Sequence, residues 1–179
     1  PMLGNLQGLS QSGVDIRILT NSSASTNHGS VHAYYAKYRQ QLLTANIELY
    51  EVKGTGSLAA YLDRVGEDAH AGLHTKAMVV DDRLSVIGSY NMDPRSRVWN
   101  SEIALVVEDA GFAASVLQEM ERDFSPEAAW RLSLDEKDSL VWTGQSEGEA
   151  EQFSRDPGSS WWDRLLWRII RILPLENEL

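Results

Sequence analysis

Six residues within one short stretch carry groups suited to phosphate chemistry: His74, Lys76, Asp81, Gly88, Ser89 and Asn91. Their spacing reads His-x-Lys, four residues, Asp, six residues, Gly-Ser-x-Asn. An imidazole can attack phosphorus or hand over a proton near neutral pH, and an ammonium group offsets charge on phosphate oxygens in the transition state. A hydroxyl and a carboxamide can donate hydrogen bonds to the same oxygens. Residues two apart in a strand share a face, so His74 and Lys76 are expected to project together. Gly88, Ser89 and Asn91 follow the apolar Leu84, Val86 and Ile87 and are expected at the end of an adjoining strand. The set would make a phosphate pocket that uses no metal. An isolated His-x-Lys is more often a solvated strand edge and Gly-Ser an ordinary turn, but six positions in fixed register favour the phosphate reading.

The same run resembles the signature of the phospholipase D superfamily. The resemblance implies an α/β fold, a mixed β-sheet sandwiched between α-helices with the site at the strand ends. It also implies a mechanism in which one histidine attacks a phosphodiester to form a phosphohistidine while a second, from another copy of the motif, protonates the leaving group. This sequence holds one copy, because His28, His32 and His70 lack a lysine two residues on. The resemblance therefore calls for a second motif, from an N-terminal half of the same enzyme or from a second copy of this chain. Downstream, Arg95, Ser96, Asn100, Ser101 and Glu102 match the segment in which the family carries an acid that hydrogen-bonds the motif histidine. A carboxylate in that position fixes the imidazole tautomer. The implied catalytic set is His74, Lys76, Asp81 and Glu102, with Asp81 mostly structural in the family, and Ser89 and Asn91 bind the substrate phosphate.

Within the superfamily, residues 19–26, 31–39, 72–76, 88–96 and 161–176 are similar to bacterial cardiolipin synthases. That resemblance implies transfer of a phosphatidyl group between phospholipids such as phosphatidylglycerol, with His74 as general acid and base, at the inner face of the bacterial cell membrane. Two other readings stay open: a homodimeric phosphodiesterase or nuclease with one motif per chain, and a catalytically silent half that binds lipid or a partner. His32 and Tyr35 are expected at the acceptor headgroup or on one packed helix face. Trp99 and Tyr90 are expected in an acyl-chain groove or in the core.

The 179 residues, 42 % of them hydrophobic, suffice for one real core. With no cysteine there is no disulfide or thiolate site, and the four histidines show no metal-ligand spacing, so neither metal nor cofactor is expected. A net charge of −10 disfavours nucleic acid, whose binding rests on Lys and Arg neutralising phosphates. No apolar run approaches the roughly twenty residues of a membrane span. The start at Pro1, together with the single motif, fits a C-terminal half of a larger protein.

Three segments are expected: a catalytic half-domain over 1–143, a flexible linker over 144–160, and an amphipathic helix with a tail over 161–179. Alternation predicts strands over 14–19 and 47–52, flanking a polar loop at 21–27 and a helix over 32–45. A glycine-rich turn at 54–56 and a short helix over 58–65 precede the two motif strands. The continuous apolar run 103–107 suits a buried strand, and Val116, Leu117, Met120 and Phe124 recur at helical spacing. The polar stretch 144–160 offers only Phe153 to bury. Ser160 and Asp163 then suggest a capping box for a helix ending before Pro174. Its Trp161, Trp162, Leu165, Leu166, Ile169, Ile172 and Leu173 fall largely on one side and Arg164, Arg168 and Arg171 on the other, and the expected membrane-contact set is Trp161, Trp162, Arg164, Trp167 and Arg168. The competing expectation is that the apolar face covers the core.

Overall fold

A computed structural model of the chain describes residues 2–26, 29–54 and 72–170. The expected helix at 58–65, the end of the turn at 54–56, and the tail beyond 170 lie outside the described residues. The elements, in chain order, are α1 (Met2–Gln11), β1 (Arg17–Asn21), α2 (Gly29–Tyr35), α3 (Arg39–Thr44), β2 (Glu48–Val52), β3 (Lys76–Val80), β4 (Leu84–Gly88), α4 (Pro94–Val98), β5 (Ala104–Glu108), α5 (Ala110–Asp123), β6 (Ala129–Leu134), β7 (Leu140–Ser146), β8 (Glu149–Phe153) and α6 (Trp161–Ile170). This is the expected mixed α/β class. The elements group into two compact units, one holding the described residues up to Leu73 and from Phe124 onward, the other His74–Asp123.

The first unit is a five-stranded sheet in the order β1-β2-β6-β7-β8, parallel between β1 and β2 and antiparallel elsewhere. Register aligns Ile18, Leu49, Leu132 and Trp142 across four strands. Side chains in register share a sheet face, and this row forms the core with Leu42, Ile47 and Trp130. The helix expected over 32–45 is interrupted. Lys37 and Tyr38 donate to carbonyls three residues back, a tightening that ends α2 and restarts the chain as α3.

The stretch expected to be a linker is folded. Ser146 pairs with Glu149 across a two-residue turn in which Glu147 and Gly148 both have positive φ, 52° and 83°. Such turns match the twist of paired strands and join them tightly. β8 is an edge strand whose exposed Glu149 and charged companions discourage pairing with another chain, and that polarity is what reads as linker in sequence.

The second unit is the three-stranded antiparallel sheet β3-β4-β5 with α5 packed against it. Val79, Ser85 and Val107 lie in one register row, and Ser85 is fully buried. The strand expected to be buried is formed but open: Ile103, Leu105 and Val106 are 77 %, 60 % and 59 % exposed. β5 is the last strand of a short sheet, so one of its backbone edges has no partner strand among the described residues.

Candidate active site

The β3–β4 hairpin sets the motif. Lys76 opens β3 opposite Gly88, which closes β4, and Gly88 in turn faces Ala104 at the start of β5. A side chain at Gly88 would collide with the Ile103 carbonyl oxygen and lie 2.9 Å from Ala104 Cα, so only glycine lets β4 and β5 approach here. Immediately beyond, Ser89 N–H donates to the Ile103 carbonyl (2.9 Å) and Ile103 N–H returns a bond to Ser89 Oγ (3.0 Å). The Ser89 hydroxyl donates to Glu102 Oε2.

Asp93 caps α4 by accepting from Ser96 N–H (2.6 Å), with Pro94 as the next residue, where proline suits a helix start. Buried Ser96 accepts from Asn91 N–H and from Asn100 Nδ2, both at 3.4 Å, and Asn100 also donates to Glu102 Oε1 (3.2 Å). Glu102 is held below the usual carboxylate range first by the Ser89 hydrogen bond, then by Ser96 and Asn100, and also by the charge of Lys76. Lys76, Ser89 and Glu102 therefore meet at one end of the sheet. Sequence reasoning gave Ser96 and Asn100 no individual role. The one readable signal was a serine three residues after the aspartate of Asp93-Pro94, the spacing of a capped turn.

His74 lies just before β3 and is exposed; its carbonyl accepts from Lys76 Nζ (2.7 Å). Its ring has no hydrogen-bond partner among the described residues. The expected Glu102–His74 bond is thus not formed here; Glu102 accepts from Ser89 and Asn100 instead. Asp81 is not part of the cluster. It sits with Asp82 at the opposite end of β3, both at positive φ (51° and 52°), in a tight turn closed by Arg83 N–H to the Val80 carbonyl (3.2 Å). Five residues of strand, about 16 Å, separate that turn from the Lys76 end. Asp81 is a turn residue because short polar side chains tolerate the left-handed region.

In the first unit, His32 is buried and Tyr35 half-buried. His32 Nε2 lies 3.1 Å from Asp156 Oδ2, and Tyr35 Oη donates to Glu51 Oε1 (2.8 Å). Arg39 joins the two: Nε and Nη2 grip Glu51 (2.6 and 2.9 Å) and Nη1 reaches Asp156 (2.7 Å). Burial and the neighbouring Glu51 push the Tyr35 phenol well up. Burial alone would raise Asp156, but the His32 hydrogen bond and the Arg39 charge outweigh it and hold it at about 2. These groups tie α2, α3, β2 and the segment after β8 together, a structural task. Trp99, an expected acyl-groove or core residue, is exposed.

Residues 1–124 match the family model described as the cardiolipin synthase, PLD-like domain. The chain belongs to this cardiolipin synthase-type family. The chain is 36 % identical over 166 residues to cardiolipin synthase C of Escherichia coli, covering 92 % of this chain and 35 % of that protein. It is 30 % identical over 167 residues to an uncharacterized protein of Helicobacter pylori, covering 93 % and 32 %. Cardiolipin synthase A of Cronobacter sakazakii is 34 % identical over 117 residues, covering 64 % and 20 %. The chain thus spans about a third or less of the length of these curated relatives. In structure it is similar to the phospholipase D family member Nuc of Salmonella typhimurium, with a TM-score of 0.50 and 18 % identity over 73 % of this chain and 72 % of that one. That likeness bears on the fold.

Proposed function

We propose that this chain supplies one of two motifs of a phosphatidyltransferase of the cardiolipin synthase type, acting on phospholipid phosphodiesters such as phosphatidylglycerol at the inner face of the bacterial membrane. The observation that carries the reading is the convergence of Lys76, Ser89 and Glu102 at one sheet end beside an exposed His74, in a chain of this family. The nucleophilic histidine of the second motif attacks phosphorus, and the bond to the leaving glycerol oxygen breaks. His74, as imidazolium, gives that oxygen its proton, leaving a phosphohistidine and a neutral alcohol. His74, now neutral, takes the proton of the incoming lipid hydroxyl as that oxygen attacks phosphorus and the histidine is released. Lys76, Ser89 and Asn91 offset the charge gathering on the non-bridging oxygens. To donate there, the Ser89 hydroxyl turns from Glu102, which then becomes free to orient an imidazole.

Two features of the described residues support a second motif from outside the chain: the His74 ring has no hydrogen-bond partner among them, and the apolar strand β5 has no partner strand among them on one edge. No helix among the described residues is long and apolar enough to cross a membrane. The test is lipid product analysis by mass spectrometry, with phosphatidylglycerol vesicles and the complete enzyme. His74→Ala should lower cardiolipin formation by about 10²–10⁴-fold, the usual share of general acid–base catalysis. Undiminished turnover would rule His74 out of the chemistry. Product from the isolated chain, rising more steeply than its concentration, would favour the homodimeric alternative instead.

A further inference from the structure

An amphipathic helix on a globular protein ordinarily buries its apolar stripe and shows its polar side to water. α6 does the reverse. At about 100° per residue, Trp161, Leu165, Ile169, Trp162 and Leu166 occupy one arc of about 140°, while Trp167 lies about 100° beyond its edge. All five arc residues are between 42 % and 63 % exposed, whereas Trp167 is 8 % exposed. Trp167 packs on the His32 ring at 4.9 Å between centroids, and its indole nitrogen lies within 3.6 Å of where a side chain at Gly29 would begin. Tyr34 Oη donates to the Ile170 carbonyl (3.0 Å) at the other end of the same side. The capping box closes the first turn: Ser160 N–H donates to Asp163 Oδ2 (2.8 Å) and Asp163 N–H to Ser160 Oγ (3.2 Å). The helix is thus fixed to the first unit by its weaker face and presents its stronger one.

The size and charge of that face select its occupant. Ten residues make a helix about 15 Å long, with a footprint of roughly 200 Å². A stable protein interface needs roughly 800 Å² per partner, so the arc is too small to hold a second copy by itself. A bilayer has no such minimum, because each side chain partitions by its own area. The segment 161–171 carries Arg164, Arg168 and Arg171 against Asp163 alone, in a chain of net charge −10. This local reversal of sign complements an anionic surface, and the stacked pair Trp161–Trp162, 3.6 Å between centroids, suits the headgroup boundary.

We infer that α6 is a docked membrane-contact element whose arc of Trp161, Trp162, Leu165, Leu166 and Ile169 enters the headgroup region of an anionic phospholipid bilayer, with Trp167 as the residue that holds the helix to the fold. The choice of a bilayer as occupant rests on the lipid reading proposed above; the inverted docking of the helix does not. Trp167 is thereby moved out of the membrane-contact set expected from sequence, because its ring is buried against His32.

The test is sedimentation of the 179-residue chain with vesicles of phosphatidylglycerol and phosphatidylcholine, and with phosphatidylcholine alone. The chain should bind the anionic vesicles, less so as salt rises, and the Trp161→Ala/Trp162→Ala variant should bind at least about tenfold more weakly. Both side chains are exposed, so the circular dichroism spectrum and urea midpoint of the variant should match those of the unmutated chain. Equal sedimentation of the variant, or no vesicle binding by the unmutated chain, would overturn the inference. So would a dimer in solution that the double substitution converts to monomer, since the arc would then be a protein contact. His74→Ala separates this inference from the catalytic one: it should still sediment with vesicles while the complete enzyme carrying it forms cardiolipin about 10²–10⁴-fold more slowly.

Discussion

Arg39 is the residue whose replacement should most disturb the first unit. It is 3 % exposed, and its guanidinium makes three charge-assisted hydrogen bonds, two to Glu51, itself fully buried, and one to Asp156. It also lies 5.2 Å from the ring centroids of both Tyr35 and Trp142. Arg39→Met keeps much of the volume and removes the charge, leaving Glu51 with only the neutral donors Tyr35 Oη and Trp142 Nε1. Breaking a buried ion pair by deleting one partner typically costs about 3–5 kcal/mol, because the survivor remains desolvated. At a urea slope of about 2 kcal/mol/M, that moves the unfolding midpoint down by about 2 M. Tryptophan fluorescence is a suitable probe, since Trp130 and Trp142 lie in the core of this unit. Glu51→Gln supplies the second edge of a double-mutant cycle. With both charges gone, the double variant should lose less than the sum of the single losses, by about 0.5–3 kcal/mol. A midpoint shift for Arg39→Met below about 0.5 M at unchanged slope, or strict additivity in the cycle, would show that the network does not hold the unit together.

Two further outcomes follow from the geometry. Asp156, held at about 2 in the folded chain, contributes stability that is complete above the unfolded carboxylate range and is lost as pH falls from about 4 toward 2. The contribution is about 2 kcal/mol, so Asp156→Asn should flatten the urea midpoint against pH in that window, and an unchanged slope there would contradict the assignment. Gly88→Ala should force β4 and β5 apart at Ile103 and Ala104, costing about 1–3 kcal/mol and displacing the Ser89 hydroxyl. A complete enzyme with this change that melts and turns over like the parent would show that the close approach is not needed.

The parts of the molecule that were legible in sequence are those whose pattern is local. Alternation located β2, continuous apolar runs located β4 and β5, and helical spacing located α5. The juxtaposition of Lys76 with Gly88 and Ser89 followed from spacing, since a hairpin of two five-residue strands returns them to the level of Lys76. What was not legible depended on which layer covers which. The hydrophobicity of Ile103, Leu105 and Val106 is the same whether a partner covers them or not, so their exposure was invisible. Residues 144–160 read as linker because an edge strand with Glu149 and Glu151 resembles solvated chain, and nothing near Asp156 in sequence announces Arg39 and His32 as its partners. Periodicity found the apolar arc of α6, but not that Trp167, outside the arc, is the residue that docks.

The stereochemistry of phosphoryl transfer also bears on why one motif should not suffice. In an in-line displacement the attacking and leaving oxygens or nitrogens lie on opposite sides of phosphorus. A single imidazole therefore cannot form the bond on one side and protonate the group departing from the other in the same step. In this chain Lys76, Ser89 and Glu102 gather at a single sheet end, and His74 is the one histidine among the described residues of that unit. The groups present suit the charge on the non-bridging oxygens and one proton transfer. On the two-motif reading proposed above, the other imidazole approaches from the opposite side, and the edge of β5, which begins two residues after Glu102 and has no partner strand among the described residues, offers backbone hydrogen bonds to a segment carrying it.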